Sequence, residues 1–376
     1  MVIQRSLQSQ IENDFFKQKV LVIYGARQVG KTTLIQNIQA KFPEKSLYLN
    51  CDEPDIRETL TDSTSTQLKA LIGDKTLVFI DEAQRVKNIG LTLKLLVDNL
   101  PTIQVVTTGS SSFDLSNQIV EPLTGRKYEY YLYPFSLGEL QSVYSNLEIK
   151  RILERRMIYG MYPEIVQKEA EAGKILKDIT RSYLFGDILQ YQQVKNPNLL
   201  EKLLQALALQ IGNEVSYNEL ANLLGIDKKT VVRYVELLEK AFIIFTLKPF
   251  SRNLRKELTK LRKIYFLDAG IRNTLINNLN PLNLRGDVGP LWENFAIVER
   301  LKWNNQRRFG GNCFFWRTHQ QQEVDYLEEV GQNLAGFEFK WSEEKLRASH
   351  VFQKNYPNSQ LQLINNKTYE TFFGLE

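Results

Sequence analysis

The residues whose types and spacing best support chemistry run from Gly25 to Thr32, and they fit G-x-x-x-x-G-K-[ST] at every fixed position. An apolar run at 20–24 predicts a strand before them, and the segment 32–41 predicts a helix after them. In that context the backbone N–H groups of the loop form a cradle for phosphate. Lys31 is expected to reach the terminal phosphates, and the Thr32 hydroxyl to ligate Mg²⁺. The predicted nucleotide-binding residues are Gly25, Ala26, Arg27, Gln28, Val29, Gly30, Lys31, Thr32 and Thr33.

Two carboxylates, Asp81 and Glu82, follow a third apolar run at 76–80. Ligands bind at the carboxyl ends of the strands in open α/β sheets, so this pair is expected beside the glycine loop. Asp81 is predicted to hold Mg²⁺, directly or through water, and Glu82 to orient and deprotonate the attacking water. An acidic turn after a strand is a common alternative. The pairing with the loop favours hydrolysis of ATP, with Mg²⁺ as the metal.

Three further residues are candidates for the same site. Thr108 and Ser110 end a strand predicted at 103–107, where a hydroxyl can contact the γ-phosphate or the water; turn chemistry around Gly109 is the alternative. Arg126 can stabilise charge on the transferring phosphoryl group, either in its own chain or from a neighbouring subunit of a homo-oligomer. The alternative, which is about equally frequent, is that Arg126 is a surface arginine with no role in catalysis. The predicted catalytic residues are Lys31, Glu82, Ser110 and Arg126.

A central segment carries the whole excess of positive charge. Residues 198–263 contain 12 Lys or Arg against 7 Asp or Glu, whereas the remainder contains 36 of each. Ser216 and Asp227 predict the starts of two short helices that meet at Gly225, as in a helix-turn-helix. The predicted DNA-contacting residues, near the start of the second helix, are Lys228, Lys229, Thr230 and Arg233. These features predict DNA binding through the phosphate backbone; a winged helix that binds protein or is purely structural is the alternative.

Carboxylates near the carboxyl terminus form a second candidate metal site. Period-2 spacing places Glu338 and Lys340 on one face of a predicted strand, and Asp325 lies on the preceding strand. Asp325 and Glu338 are predicted to share a divalent metal, with Lys340 positioning a water and Glu293 supplying a further carboxylate. A solvated strand face with a cross-strand charge pair is the alternative.

The elements that must position these residues alternate between strand and helix in the first half of the chain. Strands predicted at 20–24, 46–50, 76–80 and 103–107 are apolar on both faces, which indicates an α/β fold with a buried parallel sheet. A tyrosine-rich strand precedes Pro134, and the following residues to 193 are predicted to be helical, as a lid or an extension of the ATPase.

Composition limits the class of protein. The hydrophobic content of 43% is ordinary for a globular chain, and no apolar run is long enough to cross a bilayer, so no membrane partner is expected. The first residues contain no apolar run typical of a signal peptide. Cys51 and Cys313 are far apart and lack ligand-like neighbours. The expected compartment is the reducing cytoplasm.

These motifs resemble the AAA-type P-loop ATPases of a widespread prokaryotic group. The segment 160–164 is similar to that group's Gly-Gly-Tyr-Pro-Glu signature, with Met161 in place of the second Gly. Residues 265–270 and 292–294 resemble motifs of a carboxy-terminal domain of unknown function, which is similar to the PD-(D/E)xK nuclease superfamily. Val324 stands before Asp325 where the nuclease pattern has Pro. The motifs that carry the ATPase resemblance are Gly25 to Thr32, Asp81-Glu82, Thr108-Gly109-Ser110, Gly125-Arg126 and Tyr133-Pro134-Phe135.

Breaks at 195–198 and 280–290 divide the chain into three predicted domains. They are an AAA-type ATPase with a helical lid at 1–194, a winged helix-turn-helix at 195–265 and a small restriction-endonuclease-like α/β domain at 285–376. We predict an ATPase whose nucleotide state controls DNA association. An ATP-gated, metal-dependent DNase and a nucleotide-dependent switch that recruits a protein partner without DNA are the alternatives.

Overall fold

The computed structural model describes residues 3–109, 119, 121–182, 196–250, 262–318, 320, 322–343, 345 and 350–375. Contacts between Cα atoms divide the chain into two compact units. The first unit comprises residues 2–134 with 240–242, and the second comprises 135–239 with 243–376. Each unit contains one sheet. Among the helices described, none has the length and apolar character needed to span a membrane.

The first unit is built on a parallel sheet. Its strands are β1 (Val20–Tyr24), β2 (Ser46–Asn50), β3 (Leu77–Asp81), β4 (Gln104–Gly109) and β5 (Lys127–Tyr131). They lie in the order β2-β3-β4-β1-β5, and every neighbouring pair is parallel. All residues of β1, β3 and β4 are buried, because helices cover a parallel sheet on both faces. The predicted α/β fold with a parallel sheet is confirmed.

The helix α1 (Leu7–Asn13) precedes β1. The helices described between the strands are α2 (Lys31–Gln39), α3 (Pro54–Leu60), α4 (Ser65–Ile72) and α5 (Ile89–Asn99), with 3₁₀ turns at Pro43–Lys45 and Ala83–Arg85. The glycine loop lies between β1 and α2, so the predicted strand-loop-helix order is present. The helix starts at Lys31, one residue before the predicted start, because the left-handed backbone of Gly30 (φ 95°) ends the loop.

The second unit begins with helices and continues into alternating helices and strands. Its first helices are α6 (Leu137–Leu140), α7 (Asn146–Tyr159), α8 (Pro163–Gln167) and α9 (Ala172–Ser182). The next elements are α10 (Pro197–Leu209), β6 (Glu214–Val215), α11 (Tyr217–Leu224), α12 (Lys228–Lys240), β7 (Ile244–Pro249) and β8 (Arg262–Phe266). The last are α13 (Ala269–Leu275), α14 (Val288–Gln306), β9 (Asn312–Arg317), β10 (Glu323–Val330), β11 (Asn333–Phe339), α15 (His350–Asn355), β12 (Gln360–Ile364) and α16 (Tyr369–Phe373).

The strands of the second unit form one mixed sheet in the order β12-β11-β10-β9-β7-β8-β6. Residues 195–265 and 285–376 are predicted to be separate domains. In the structure β7 pairs in parallel with β9 and thereby joins strands of both segments in one sheet. The boundary between the two compact units falls after Pro134, within the predicted domain 1–194. The division into three domains stays a prediction.

The buried carboxylate of Asp268 joins two distant motifs of the second unit. Its Oδ2 accepts the N–H of Met161 at 2.7 Å, and its Oδ1 accepts the N–H of Gly270 at 2.9 Å. A Cβ added at Gly160 (φ 80°) would lie 2.0 Å from Asp268 Oδ1, so only glycine fits there. Met161 contributes a backbone N–H, which any residue except proline can donate. Its departure from the Gly-Gly pattern therefore leaves this contact intact.

Gly160→Ala should destabilise the second unit, because the added methyl group would overlap a buried carboxylate and the positive φ disfavours an L side chain. We expect a loss of about 2–3 kcal/mol and a fall of several degrees in Tm. Gly289→Ala is the matched control, since a Cβ there meets no atom within 4 Å. Thermal unfolding of both variants is the measurement, and equal Tm values would contradict the steric argument.

Candidate nucleotide site

Both glycines of the loop are required by backbone geometry. A Cβ added at Gly25 would lie 2.3 Å from the carbonyl oxygen of Leu132, which follows β5. Leu132 donates its N–H to the Tyr24 carbonyl at 2.8 Å, so the end of β1 is held against that segment. Gly30 adopts a left-handed conformation immediately before α2. The loop therefore bends between a buried strand and a helix N-terminus, as a phosphate cradle requires.

Lys31 lies within this loop. Its Nζ donates to the carbonyl oxygens of Gly25 at 3.0 Å and Ala26 at 2.9 Å, and the residue is only 5% exposed. A charged group is buried in this way only when it is well hydrogen-bonded. Of the other predicted loop residues, Val29 is buried and Arg27, Gln28 and Thr33 are exposed. The ammonium is thus held where the loop would enclose phosphate.

The carboxylate of Asp81, at the carboxyl end of β3, accepts hydrogen bonds from three hydroxyl groups. Thr32 and Tyr48 both donate to its Oδ2 at 2.7 Å, and Thr108 donates to its Oδ1. These donors lie on α2, β2 and β4, and Asp81 itself is 2% exposed. Thr32 and Asp81, the two predicted Mg²⁺ residues, are therefore in direct contact.

Glu82 follows in a left-handed conformation (φ 52°), which turns the chain away from β3. Its N–H donates to Thr108 Oγ1 at 3.0 Å, and its Oε2 accepts from Gln84 Nε2 at 2.5 Å. Thr108 thus links the backbone of Glu82 to the carboxylate of Asp81. The other predicted hydroxyl, Ser110, lies outside the described residues.

Arg126 lies at the amino ends of the strands, opposite to the carboxyl ends where the glycine loop lies. Its carbonyl accepts the N–H of Val20 at 2.9 Å, at the start of β1, whereas the loop follows the end of that strand. Five residues of strand separate the two ends by roughly 15 Å. Its Nε is paired with Asp98 on α5 at 2.7 Å. This position does not bring the guanidinium to the loop of its own chain, and action from a neighbouring subunit stays a prediction.

Tyr48 is a member of the site that the sequence analysis missed. Burial and the adjacent Asp81 carboxylate raise the pKa of its phenol, so the hydroxyl remains a donor. Its position near the end of β2, beside β3, was the available signal. Cys51 lies just beyond: burial, and then Asp81, raise the pKa of its thiol to about 12. That cysteine is therefore an unreactive thiol.

The predicted DNA-contacting residues lie at the start of α12. Lys228, Lys229 and Arg233 are exposed, and Gly225 (φ 65°) forms the turn between α11 and α12. Thr230 differs from the other three, because its hydroxyl and N–H are bonded to Asp227 at 2.6 and 2.9 Å. This contact satisfies a donor at the helix start.

The carboxy-terminal candidates lie on neighbouring strands. Asp325 and Glu338 are one position beyond the paired residues Tyr326 and Phe337 of β10 and β11, so they face one another across the strands. Lys340 Nζ is 3.6 Å from Glu338 Oε1. Within the part of the chain that the structure describes, no group of three or more His, Cys, Asp or Glu is arranged to hold a metal.

Glu293, the remaining candidate, is paired with a lysine from β8. Its Oε1 lies 2.9 Å from Lys263 Nζ and accepts the Tyr265 hydroxyl at 2.6 Å. Burial raises the pKa of Glu293 to about 7, although Lys263 opposes that shift. Burial disfavours the ammonium, but the surrounding carboxylates raise the pKa of Lys263 above its ordinary value.

Three family matches cover most of the chain. Residues 17–141 match a family described as AAA domain, residues 150–282 match a domain of unknown function (DUF8612), and residues 288–372 match another domain of unknown function (DUF4143). The first match spans the parallel sheet of the first unit, the glycine loop, and Asp81 with its three hydroxyl donors. This match and the geometry of those residues support an AAA-type P-loop ATPase.

Several curated proteins are similar over most of the chain. The uncharacterized protein MJ1544 of Methanocaldococcus jannaschii is 28% identical over 341 residues, covering 84% of this chain and 74% of that protein. The uncharacterized protein Rv2008c of Mycobacterium tuberculosis is 26% identical over 345 residues, covering 90% and 74%. A solved structure, the Walker-type ATPase PABY2304 of Pyrococcus abyssi, aligns with a TM-score of 0.52 at 17% identity, covering 73% of this chain and 96% of that chain. That likeness concerns the fold.

Tyr48→Phe should weaken the site without disturbing the strand, because it removes one of the two hydroxyl groups that hold Asp81 Oδ2 and leaves that of Thr32 in place. Partners that orient a metal-binding carboxylate typically contribute about 10-fold to 100-fold to metal affinity or activity. We expect ATP turnover to fall by that factor and half-maximal activity to need more Mg²⁺. Tyr128→Phe, on the exposed face of β5, is the control. An Mg²⁺ dependence equal to that of the native chain would contradict the assignment.

Proposed function

We propose that this protein is a Mg²⁺-dependent ATPase whose nucleotide state controls its association with DNA through a winged helix. The hydrogen bond between Thr32 and Asp81 carries the ATPase part, because it joins the start of the helix after the loop to the carboxylate that ends β3. The residues fit Mg-ATP: Lys31 would bind the phosphates, and Thr32 and Asp81 would hold the metal. Bound Mg²⁺ would neutralise charge that develops on the phosphates.

Glu82 is the proposed general base. Its carboxylate is oriented by Gln84, and its backbone is fixed by the hydroxyl of Thr108. A carboxylate so placed beside Asp81 can accept a proton from a water that attacks the terminal phosphate. Lys31 would stabilise the charge on the transferring group.

The DNA-binding part rests on the segment from α10 to β8. The order of its elements is helix, strand, two helices and two strands, and β8 pairs antiparallel with both β6 and β7. This arrangement supports a winged helix-turn-helix. The exposed side chains of Lys228, Lys229 and Arg233 at the start of its second helix favour phosphate contacts. Thr230 would stabilise the helix start through Asp227.

Nucleotide binding is tested by thermal unfolding with Mg-ATP. A ligand at 100 times its Kd should stabilise the native chain by about 2.7 kcal/mol. Lys31→Ala should lose most of that shift, because the ammonium that meets the phosphates is gone. Glu82→Gln should keep the shift and lose about 10²-fold to 10⁴-fold in turnover. If native protein shows no shift with Mg-ATP, the proposal fails at its first step.

DNA binding is tested by fluorescence anisotropy with duplex DNA over a range of salt. A plot of the logarithm of the DNA association constant against the logarithm of the salt concentration has a negative slope. Replacing both Lys228 and Lys229 with Ala should make that slope less steep by about 1.8, since each phosphate contact contributes about 0.9. The matched control replaces Lys174 and Lys177, two exposed lysines of α9. Equal loss in both double variants would indicate general charge rather than contact by α12.

Coupling between the two activities is tested with three states of the native chain: nucleotide-free, with ADP, and with non-hydrolysable ATP. DNA affinity should differ among them, and the ATPase rate should change when DNA is added, with Glu82→Gln as the control. Identical affinities in all three states would remove the coupling. Tight ATP binding without salt-dependent DNA binding would instead favour the recruitment of a protein partner.

A further inference from the structure

A buried ammonium lies among three carboxylates in the second unit. Lys263, on β8, is 0% exposed. Its Nζ is 2.9 Å from Glu293 Oε1 and 3.8 Å from Asp325 Oδ1, and it also forms an ion pair with Glu323. Glu293 lies on α14, whereas Glu323 and Asp325 lie on β10. A single side chain therefore joins three elements.

Other donors of the chain also engage these carboxylates. The Tyr265 hydroxyl donates to Glu293 Oε1 at 2.6 Å, and the N–H of Phe339 donates to Asp325 Oδ2 at 2.9 Å. Arg317 lies 3.8 Å from Glu323 Oε2. Divalent cations such as Mg²⁺ need several oxygen ligands converging on one point, and here an ammonium occupies that point.

Asp325 and Glu338 are the two residues predicted to share a divalent metal, and the ammonium lies beside Asp325. An ammonium 3.8 Å from its carboxylate competes with any divalent cation, both by occupying the space and by charge repulsion. The carboxylates therefore do not fit a metal-dependent nuclease site.

We propose that the ammonium of Lys263 takes the place of a metal cation among Glu293, Glu323 and Asp325, so that this part of the chain binds no catalytic metal and does not cut DNA. The ammonium then has a different role. It holds β8, which ends the proposed DNA-binding segment, to the helix and strand that carry the carboxylates. Without it, three carboxylates would face one another without this counter-charge.

The first experiment measures thermal unfolding of the full chain at increasing Mn²⁺ in the absence of nucleotide. Asp81→Asn is included in every protein, so that the nucleotide site contributes no metal response. Lys263→Met removes the charge and keeps a similar side-chain length. At Mn²⁺ about 100 times the Kd, the Lys263→Met chain should gain about 5 °C in Tm, whereas the chain with Lys263 should gain nothing. Adding Asp325→Asn to Lys263→Met should abolish the gain.

Two results of this titration would overturn the proposal. One is Mn²⁺-dependent stabilisation of the Lys263 chain that Asp325→Asn removes, since a metal would then bind beside the ammonium. The other is a folded Lys263→Met chain that does not respond to Mn²⁺, since the pocket would then not be a position for a cation.

A second measurement does not depend on the folding of Lys263→Met. The native chain is incubated with plasmid DNA and Mg²⁺ or Mn²⁺, beside Asp325→Asn and Lys340→Ala. No nicking above the level of these variants is expected. Metal-dependent nicking that Asp325→Asn abolishes would overturn the proposal.

Discussion

The carboxylate of Asp81 is the contact on which the nucleotide site depends. Asp81 is the last residue of a strand buried on both faces, and its carboxylate accepts hydrogen bonds from the hydroxyl groups of Thr32, Tyr48 and Thr108. A buried carboxylate is stable only when its oxygens are paired, so these donors must lie where they do. One of them opens the helix after the glycine loop, and another also fixes the backbone of Glu82. The loop and the proposed positions of the metal and the general base are thereby set relative to one carboxylate.

The same requirement shapes the second unit. Asp268 accepts backbone N–H groups from Met161 and Gly270, and so connects a helical segment with a motif more than 100 residues later. Lys263 balances carboxylates from α14 and β10. Backbone N–H groups satisfy the Asp268 carboxylate, and carboxylates satisfy the Lys263 ammonium, because a buried charge must be hydrogen-bonded or paired. The pairing of β7 with β9 and the contacts of Lys263 join the segment from α10 to β8 to the carboxy-terminal strands, although the two looked separable in sequence.

Features that depend on local pattern were predictable. The strands predicted from short apolar runs at 20–24 and 46–50 have those bounds in the structure, and the third is shifted by one residue to 77–81. The helix α12 begins directly after Asp227, as predicted. The loop and the Asp81-Glu82 pair follow such runs directly, so the topology of a parallel sheet brings them to one edge. Tyr48 carries no local motif. Its role comes from the pairing of β2 with β3, which places its hydroxyl beside Asp81.

The sequence by itself determined the phosphate loop, the carboxylates after β3, the order of the helices and strands around them and the basic start of α12. Only the tertiary structure decided that Arg126 lies at the far edge of the sheet and that Lys263 fills the space among Glu293, Glu323 and Asp325. The reason is physical: a motif is set by neighbours a few residues away, whereas the environment of a charge is set by strand pairing between distant segments. Arginine and lysine carry the same charge wherever they fall, and only the folded chain fixes which carboxylate each one meets.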